Sequence, residues 1–256
     1  EYSLHGHSPS KEFVMAMTKD KSCACEIRNP AGTCCLADFP KMPNKVKDSS
    51  PSLIAEVNAE QLISALGLPK LNSREQDMAL AIYRLLAQTG RPVPLPLLAD
   101  YLHCEFEQVQ DIVANLPGIQ WSDEQCILAF MGLTTQATSH TFQVNGHTLY
   151  TWCAWDSLFI PQLLGLPAHI HSISPVDESP IEMDIEGYEV SNLSSQQIHL
   201  SFNTPGDAYE NQKIVQQFCC HIHFFKDEAS GHRWLKGQTN TKLMTLQEAI
   251  DLGKAL

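Results

Sequence analysis

No long uninterrupted apolar run occurs in this sequence. That excludes a membrane-spanning helix, which needs about 20 consecutive, mostly apolar residues. Positive charge is scarce: 17 Lys and Arg face 29 Asp and Glu, for a net charge of -12. A nucleic-acid surface needs clustered cations against phosphate, so neither nucleic acid nor membrane is the expected partner. No charged-then-apolar signal segment is visible. The first residue is Glu1, so Met15 or Met17 is a candidate start, with the residues before it read as a leader. No C-x-x-C pair is present, which removes the usual redox motif. The nine cysteines are odd in number and irregular in spacing, unlike the staples of a small secreted domain. What remains is a globular chain, 43% hydrophobic, expected in the cytoplasm and using some of its thiols for chemistry.

Apolar spacing divides the chain into three parts. Residues 1–50 show little periodicity and read as a Cys-containing extension, either a tail or a small metal-tied knuckle. Residues 51–135 read as mainly helical. Positions 53–66 have helical spacing up to Gly67, and Ser73 with Gln76 has capping-box spacing ahead of Met78, Ile82, Leu85 and Leu86. Helices over Leu97–His103 and Glu105–Leu116 and strands over Ile119–Trp121 and Cys126–Phe130 complete a winged-helix-like pattern. The second helix of that pair carries Glu105, Glu107 and Asp111, which would repel phosphate, so a packing role is the plainer reading.

Residues 136–256 read as strands around one helix. Asn145-Gly146 between two apolar runs signals a hairpin with a type I′ turn. Further strands are expected near Ile181–Ile185, Ile198–Phe202 and Ile214–Phe225. Helices are expected over Glu228–Leu235 and from Thr245, whose partner at capping-box spacing is Glu248.

Two cysteine segments carry candidate chemistry. In Thr151-Trp-Cys-Ala-Trp-Asp, Thr151 as an N-cap would place Cys153 in the first helical turn, where the helix dipole lowers a thiol's pKa. Asp156, three residues on, would share its face. The alternative is a core cysteine with an aspartate that merely complements the dipole. In Gln217-Phe-Cys-Cys-His-Ile-His-Phe-Phe225, a continuous strand would group Cys219 with His221 and His223 on one face, and Cys220 with Phe218 and Ile222 on the other. A buried strand with satisfied histidines is the alternative there.

Together, aromatic-Cys-x-x-Asp and Phe-Cys-x-His-x-His-Phe-Phe resemble the two signatures of the organomercurial (alkylmercury) lyase family, in the same order and with similar separation. The likeness extends more weakly over about 60–256. It implies an α+β fold: a helical winged-helix-like N-terminal domain packed on a mixed-sheet catalytic domain of the MerB/NosL kind. It implies that Cys153 and Cys219 are the essential thiols and Asp156 the essential acid, which together also hold the Hg(II) product. Trp152, Trp155 and Phe218 are candidate walls of the substrate pocket. The chemistry suits these groups: thiolates are soft ligands for a soft metal, and a carboxyl can deliver the proton that releases the hydrocarbon. The resemblance further implies that turnover needs no cofactor, that small-molecule thiols remove Hg(II), and that a mercuric reductase is a candidate acceptor. One departure is visible. Family members commonly carry another cysteine, considered structural, about two dozen residues after the first motif, where this chain reads Ala168-His-Ile-His-Ser-Ile-Ser174.

Cys23, Cys25, Cys34 and Cys35 form a compact group outside the usual lyase core, a candidate second thiophilic site or an incidental feature of a tail. The competing function is a non-catalytic mercury- or copper-binding protein on the same fold, against which the carboxyl of Asp156 argues. A thiol hydrolase pairing Cys153 with His221 or His223 lacks its family signatures.

Overall fold

The computed structural model describes residues 70–203, 218–238 and 241–254. The expected helix at 53–66 and the cysteines at 23, 25, 34 and 35 lie outside these residues.

The first helix, α1 (Ser73–Thr89), buries Met78, Ile82, Leu85 and Leu86 on one face and ends at Gly90 in the left-handed conformation. Its cap is one residue earlier than the sequence suggests. The Asn72 side chain accepts from the amides of Arg74 and Glu75, and Glu75 answers to the Asn72 amide. A short strand β1 (Val93–Pro94) leads into α2 (Leu95–Leu102) and α3 (Phe106–Asn115). The strands β2 (Ile119–Trp121) and β3 (Cys126–Phe130) match the expected hairpin.

The chain then makes β4 (Leu133–Thr134), β5 (His140–Val144) and β6 (His147–Thr151), with Asn145 and Gly146 both at positive φ in the hairpin turn. Helix α4 (Asp156–Leu164) follows, then β7 (Ala168–Ile173), β8 (Pro180–Glu186) and β9 (Glu189–Ser191). β1 through β9 form one sheet in the order β1-β3-β4-β6-β5-β7-β8-β9, with β2 also on β3. The sheet therefore runs unbroken from the helical segment into the residues after 135.

The second sheet sets β10 (His199–Asn203) between β11 (Phe224–Phe225) and β12 (Thr241–Thr245). Helices α5 (Glu228–Leu235) and α6 (Leu246–Gly253) flank β12, and α6 carries the expected Thr245–Glu248 capping box. The expectation of a mixed sheet is corrected: every strand pair among the described residues is antiparallel. The cause is connectivity. β5 with β6 and β8 with β9 are joined by short turns, and the one long helical crossover, from β6 through α4 to β7, passes over β5, so the parallel strands it joins are not neighbours.

The stretch expected as a strand over Ile214–Phe225 is also corrected. Among its described residues, 218–225, Cys219–His221 is a 3₁₀ turn, and only Phe224–Phe225 is strand. Tertiary hydrogen bonds override the alternating pattern. The Ser201 hydroxyl donates to the His221 carbonyl at 2.7 Å and accepts the His223 amide at 2.9 Å, pulling the chain out of strand geometry. A single apolar core joins the helices to both sheets, with Ile82, Leu86, Phe130, Phe142, Ile170 and Phe202 at its centre.

Candidate active site

Strand β6 delivers the first thiol. Beyond Thr151 the chain turns: the Thr151 hydroxyl donates to the Cys153 carbonyl at 2.9 Å, and the Trp152 amide donates to the Gly132 carbonyl at 2.8 Å. Helix α4 begins at Asp156, so Cys153 precedes it and Thr151 is not its cap. The expected placement of Cys153 in a first helical turn is thus corrected. What joins the two residues is the turn itself, in which the Cys153 amide donates to Asp156 Oδ2 at 2.9 Å.

The 3₁₀ turn delivers the second thiol. The His221 amide donates to the Phe218 carbonyl and the Ile222 amide to the Cys219 carbonyl, closing a tight loop. The His223 ring donates from Nε2 to the Cys220 carbonyl at 2.9 Å, so this imidazole braces the turn from behind. The two thiol-bearing loops also meet directly, since the Ala154 amide donates to the Ile222 carbonyl at 3.3 Å.

The result brings Cys153, Asp156 and Cys219 to one buried point, with one ligating atom of each lying within 4.8 Å of the others. Cys153 is fully buried, Cys219 is 3% exposed and Asp156 7%. For the two cysteines the face assignment from strand periodicity is reversed: Cys220, expected in the core, is half-exposed, and Cys219 is inside, while Phe218 and Ile222 are buried as expected. His221 and His223 do not join the thiol–carboxyl cluster.

Burial governs the ionisation of the cluster. It raises Asp156 from an ordinary carboxyl value to about 7, against the opposing hydrogen bonds from the Cys153 thiol and amide. It also raises the Cys153 thiol, aided by a hydrogen bond with Cys219 and by the charge of Asp156. The expected lowering of the Cys153 pKa by a helix terminus is therefore overturned, because the helix starts three residues too late and no solvent reaches the sulfur. Near neutral pH the Cys153 thiol therefore keeps its proton, while Asp156 stands close to half-protonated.

Aromatic rings pack beside the cluster. Trp155 meets Phe159, Phe202 and Phe218 edge-on, with centroids at 5.2, 5.3 and 6.2 Å, and its ring nitrogen donates to the Ala249 carbonyl of α6 at 3.0 Å. Trp152 is buried, and its ring nitrogen finds no hydrogen-bond partner among the described residues. Phe202 and Gly132 were not singled out by sequence. Phe202 ends an expected strand and gives no chemical signal, while Gly132 looks like any turn glycine. On strand β7, which carries no cysteine, the Ser172 hydroxyl pairs with Nδ1 of the buried His140 at 3.0 Å.

Two thiols and a carboxyl group, buried together in an α+β scaffold, form a set whose chemistry suits a soft metal with a proton transfer beside it. Comparison with known proteins narrows that class. The alkylmercury lyase family profile (MerB) matches residues 133–256. The alkylmercury lyase of Streptomyces lividans is 34% identical over 175 residues, covering 68% of this chain and 79% of that protein. The Pseudomonas putida alkylmercury lyase is 32% identical over 180 residues, covering 70% and 83%. A crystal structure of the mercury-bound form of MerB2 superposes with a TM-score of 0.62 at 22% identity, over 77% of this chain and 95% of that one, which shows the shared fold. The chain belongs to the alkylmercury lyase family.

Proposed function

We propose that Cys153, Cys219 and Asp156 are the groups with which this alkylmercury lyase splits the carbon–mercury bond of organomercurials. The observation that supports the reading is their convergence within 4.8 Å in a buried site. One thiol displaces the substrate's exchangeable ligand X from R–Hg–X, giving S–Hg–R and releasing HX. The second thiol passes its proton to the Asp156 carboxylate and bonds to mercury as a thiolate, which builds negative charge on the carbon. Asp156, whose pKa near 7 suits both accepting and giving a proton, then protonates that carbon. R–H leaves and Hg(II) stays between two sulfurs. The sum is R–HgX plus two thiols giving R–H, HX and a mercury bis-thiolate.

This balance needs no redox partner or organic cofactor. Removal of Hg(II) falls to small-molecule thiols or to a dithiol acceptor such as a mercuric reductase. Trp152, Trp155 and Phe218 would face the organic group, an assignment supported by their burial and by the contact of Trp155 with Phe218. We also read residues 51–135 as a winged-helix-like unit and 136–256 as the catalytic unit, the second carrying the three reacting groups. A cytoplasmic setting fits thiols that must stay reduced. Among the described residues, no helix is long and apolar enough to cross a membrane.

The test is hydrocarbon release from methylmercury or phenylmercury with excess small thiol. The reading predicts methane or benzene from the unaltered protein, and Asp156→Ala that binds mercury but turns over poorly. A protein that captures mercury without releasing hydrocarbon would be a trap rather than a lyase.

A further inference from the structure

We infer that Gly132 and Tyr83 are positioning residues for the proton-transfer step, fixing where the Asp156 carboxyl points; the inference rests on Asp156 being the proton carrier. Between β3 and β4 the chain makes a turn in which Met131 and Gly132 both take positive φ, 40° and 99°. The bare α-carbon of Gly132 lies against the Asp156 side chain. A Cβ placed there would stand 2.6 Å from Cγ, 2.7 Å from Oδ1 and 3.0 Å from Cβ of Asp156. Separations under 3.0 Å are closer than real side chains come, so any side chain at 132 must push the carboxyl aside.

The turn itself has little room to yield. The Tyr83 hydroxyl, reaching from α1, donates to the Met131 carbonyl at 2.7 Å. The Met131 amide donates to the Gly118 carbonyl at 3.0 Å, and the Gly132 carbonyl accepts the Trp152 amide at 2.8 Å, one residue before Cys153. Tyr83 is buried, stacks edge-on against Phe130 at 5.2 Å and is kept protonated by burial first and by the nearby Asp156 charge second. Asp156 is thus held between the Cys153 amide on one side and the Gly132 backbone on the other. A proton carrier must hand its proton to a carbon at a fixed place, and a displacement of about 1 Å in such a group can cost on the order of a hundredfold in rate. Gly132 supplies the space and Tyr83 the rigidity.

The test compares Gly132→Ala, Tyr83→Phe and Asp156→Ala with the unaltered protein, plus the double variant Gly132→Ala/Asp156→Ala. Two quantities are read: single-turnover benzene release from phenylmercury, and Hg(II) capture by the ultraviolet sulfur-to-mercury charge-transfer band. Gly132→Ala is expected to lose protonolysis by about tenfold to a hundredfold while keeping the charge-transfer band, a split that general damage to the fold would not give. Adding it to Asp156→Ala should cost no further activity, and should lower the melting temperature less than it does alone, since the obstructing carboxyl is gone. Tyr83→Phe, which removes only a hydroxyl, should show the same split in milder form and guards against poor folding of the glycine variant. Full protonolysis in both Gly132→Ala and Tyr83→Phe, or a melting penalty for Gly132→Ala that is unchanged without Asp156, overturns the inference. Full activity in Asp156→Ala overturns the proton-carrier reading instead, so the two failures are distinguishable.

Discussion

The Cys153 amide nitrogen lies 2.9 Å from Oδ2 of Asp156, so the residue that carries the first thiol also anchors the carboxyl that would serve it. This bond closes a turn ahead of α4, rather than lying along a helix face, and it survives any change in the protonation of the thiol. The same turn reaches the second thiol's loop through the Ala154–Ile222 hydrogen bond. The three groups are therefore coupled through backbone, not only through the side chains that react.

Asp156 should make stability depend on pH in a sense opposite to most carboxyls. Its pKa is raised from 3.8 to about 7 in the folded chain, so the native state holds a proton that the unfolded state releases. The stabilising contribution is complete below the unfolded value and is lost as pH rises through about 7. Asp156→Asn, which keeps an acceptor for the Cys153 amide, should therefore be more stable than the unaltered protein at pH 8, by at most about 4 kcal/mol. At pH 5 the gap should shrink to under half of that, and it should vanish only below the unfolded value of 3.8. Urea unfolding at the two pH values checks it; a gap that grows on acidification contradicts the burial argument.

His223 should matter to the Cys219 loop while staying neutral. Burial, opposed by its bond to the Cys220 carbonyl, lowers its pKa to about 4, so at pH 7 it donates from Nε2 as an uncharged ring. His223→Phe removes the ring donor that braces the turn and should cost about 1–3 kcal/mol in urea unfolding. Loosening by even 1 kcal/mol should speed alkylation of Cys219 by about fivefold. Mass-resolved labelling measures this, and an unchanged Cys219 rate would show that the imidazole does not brace the turn.

Phe202 should be a packing residue of the site. It is fully buried and meets Trp155 and Phe218 edge-on at 5.3 Å each. Phe202→Ala should destabilise by about 3–5 kcal/mol through transfer and cavity costs. The denaturant midpoint should fall with the slope unchanged. A loss below about 1 kcal/mol would mean that the aromatic cluster collapses to fill the space.

Much of this fold was legible in the sequence. The hairpins at 119–130 and 140–151, helix Glu228–Leu235 and the Thr245–Glu248 cap stand where periodicity and turn chemistry put them, because each is specified by local residues. The Cys219 segment was not, since its alternating pattern suits a strand and the bonds that bend it come from Ser201, eighteen residues away in sequence order, on β10. The ionisation of Cys153 was misjudged for a related reason. A sequence suggests a helix start but not its register, and three residues separate a dipole-stabilised thiolate from a buried thiol. The partnership of Gly132 with Asp156 has no local signature at all, because it joins a turn and a helix start 24 positions apart.

The most direct measurement is benzene release in a single turnover of phenylmercury, without added thiol, comparing the unaltered chain with Cys219→Ser. The account predicts one equivalent of benzene per chain from the unaltered protein, with Hg(II) retained, and none from Cys219→Ser, which should hold phenylmercury intact on Cys153. One equivalent of benzene from Cys219→Ser at the unaltered rate would contradict the two-thiol site.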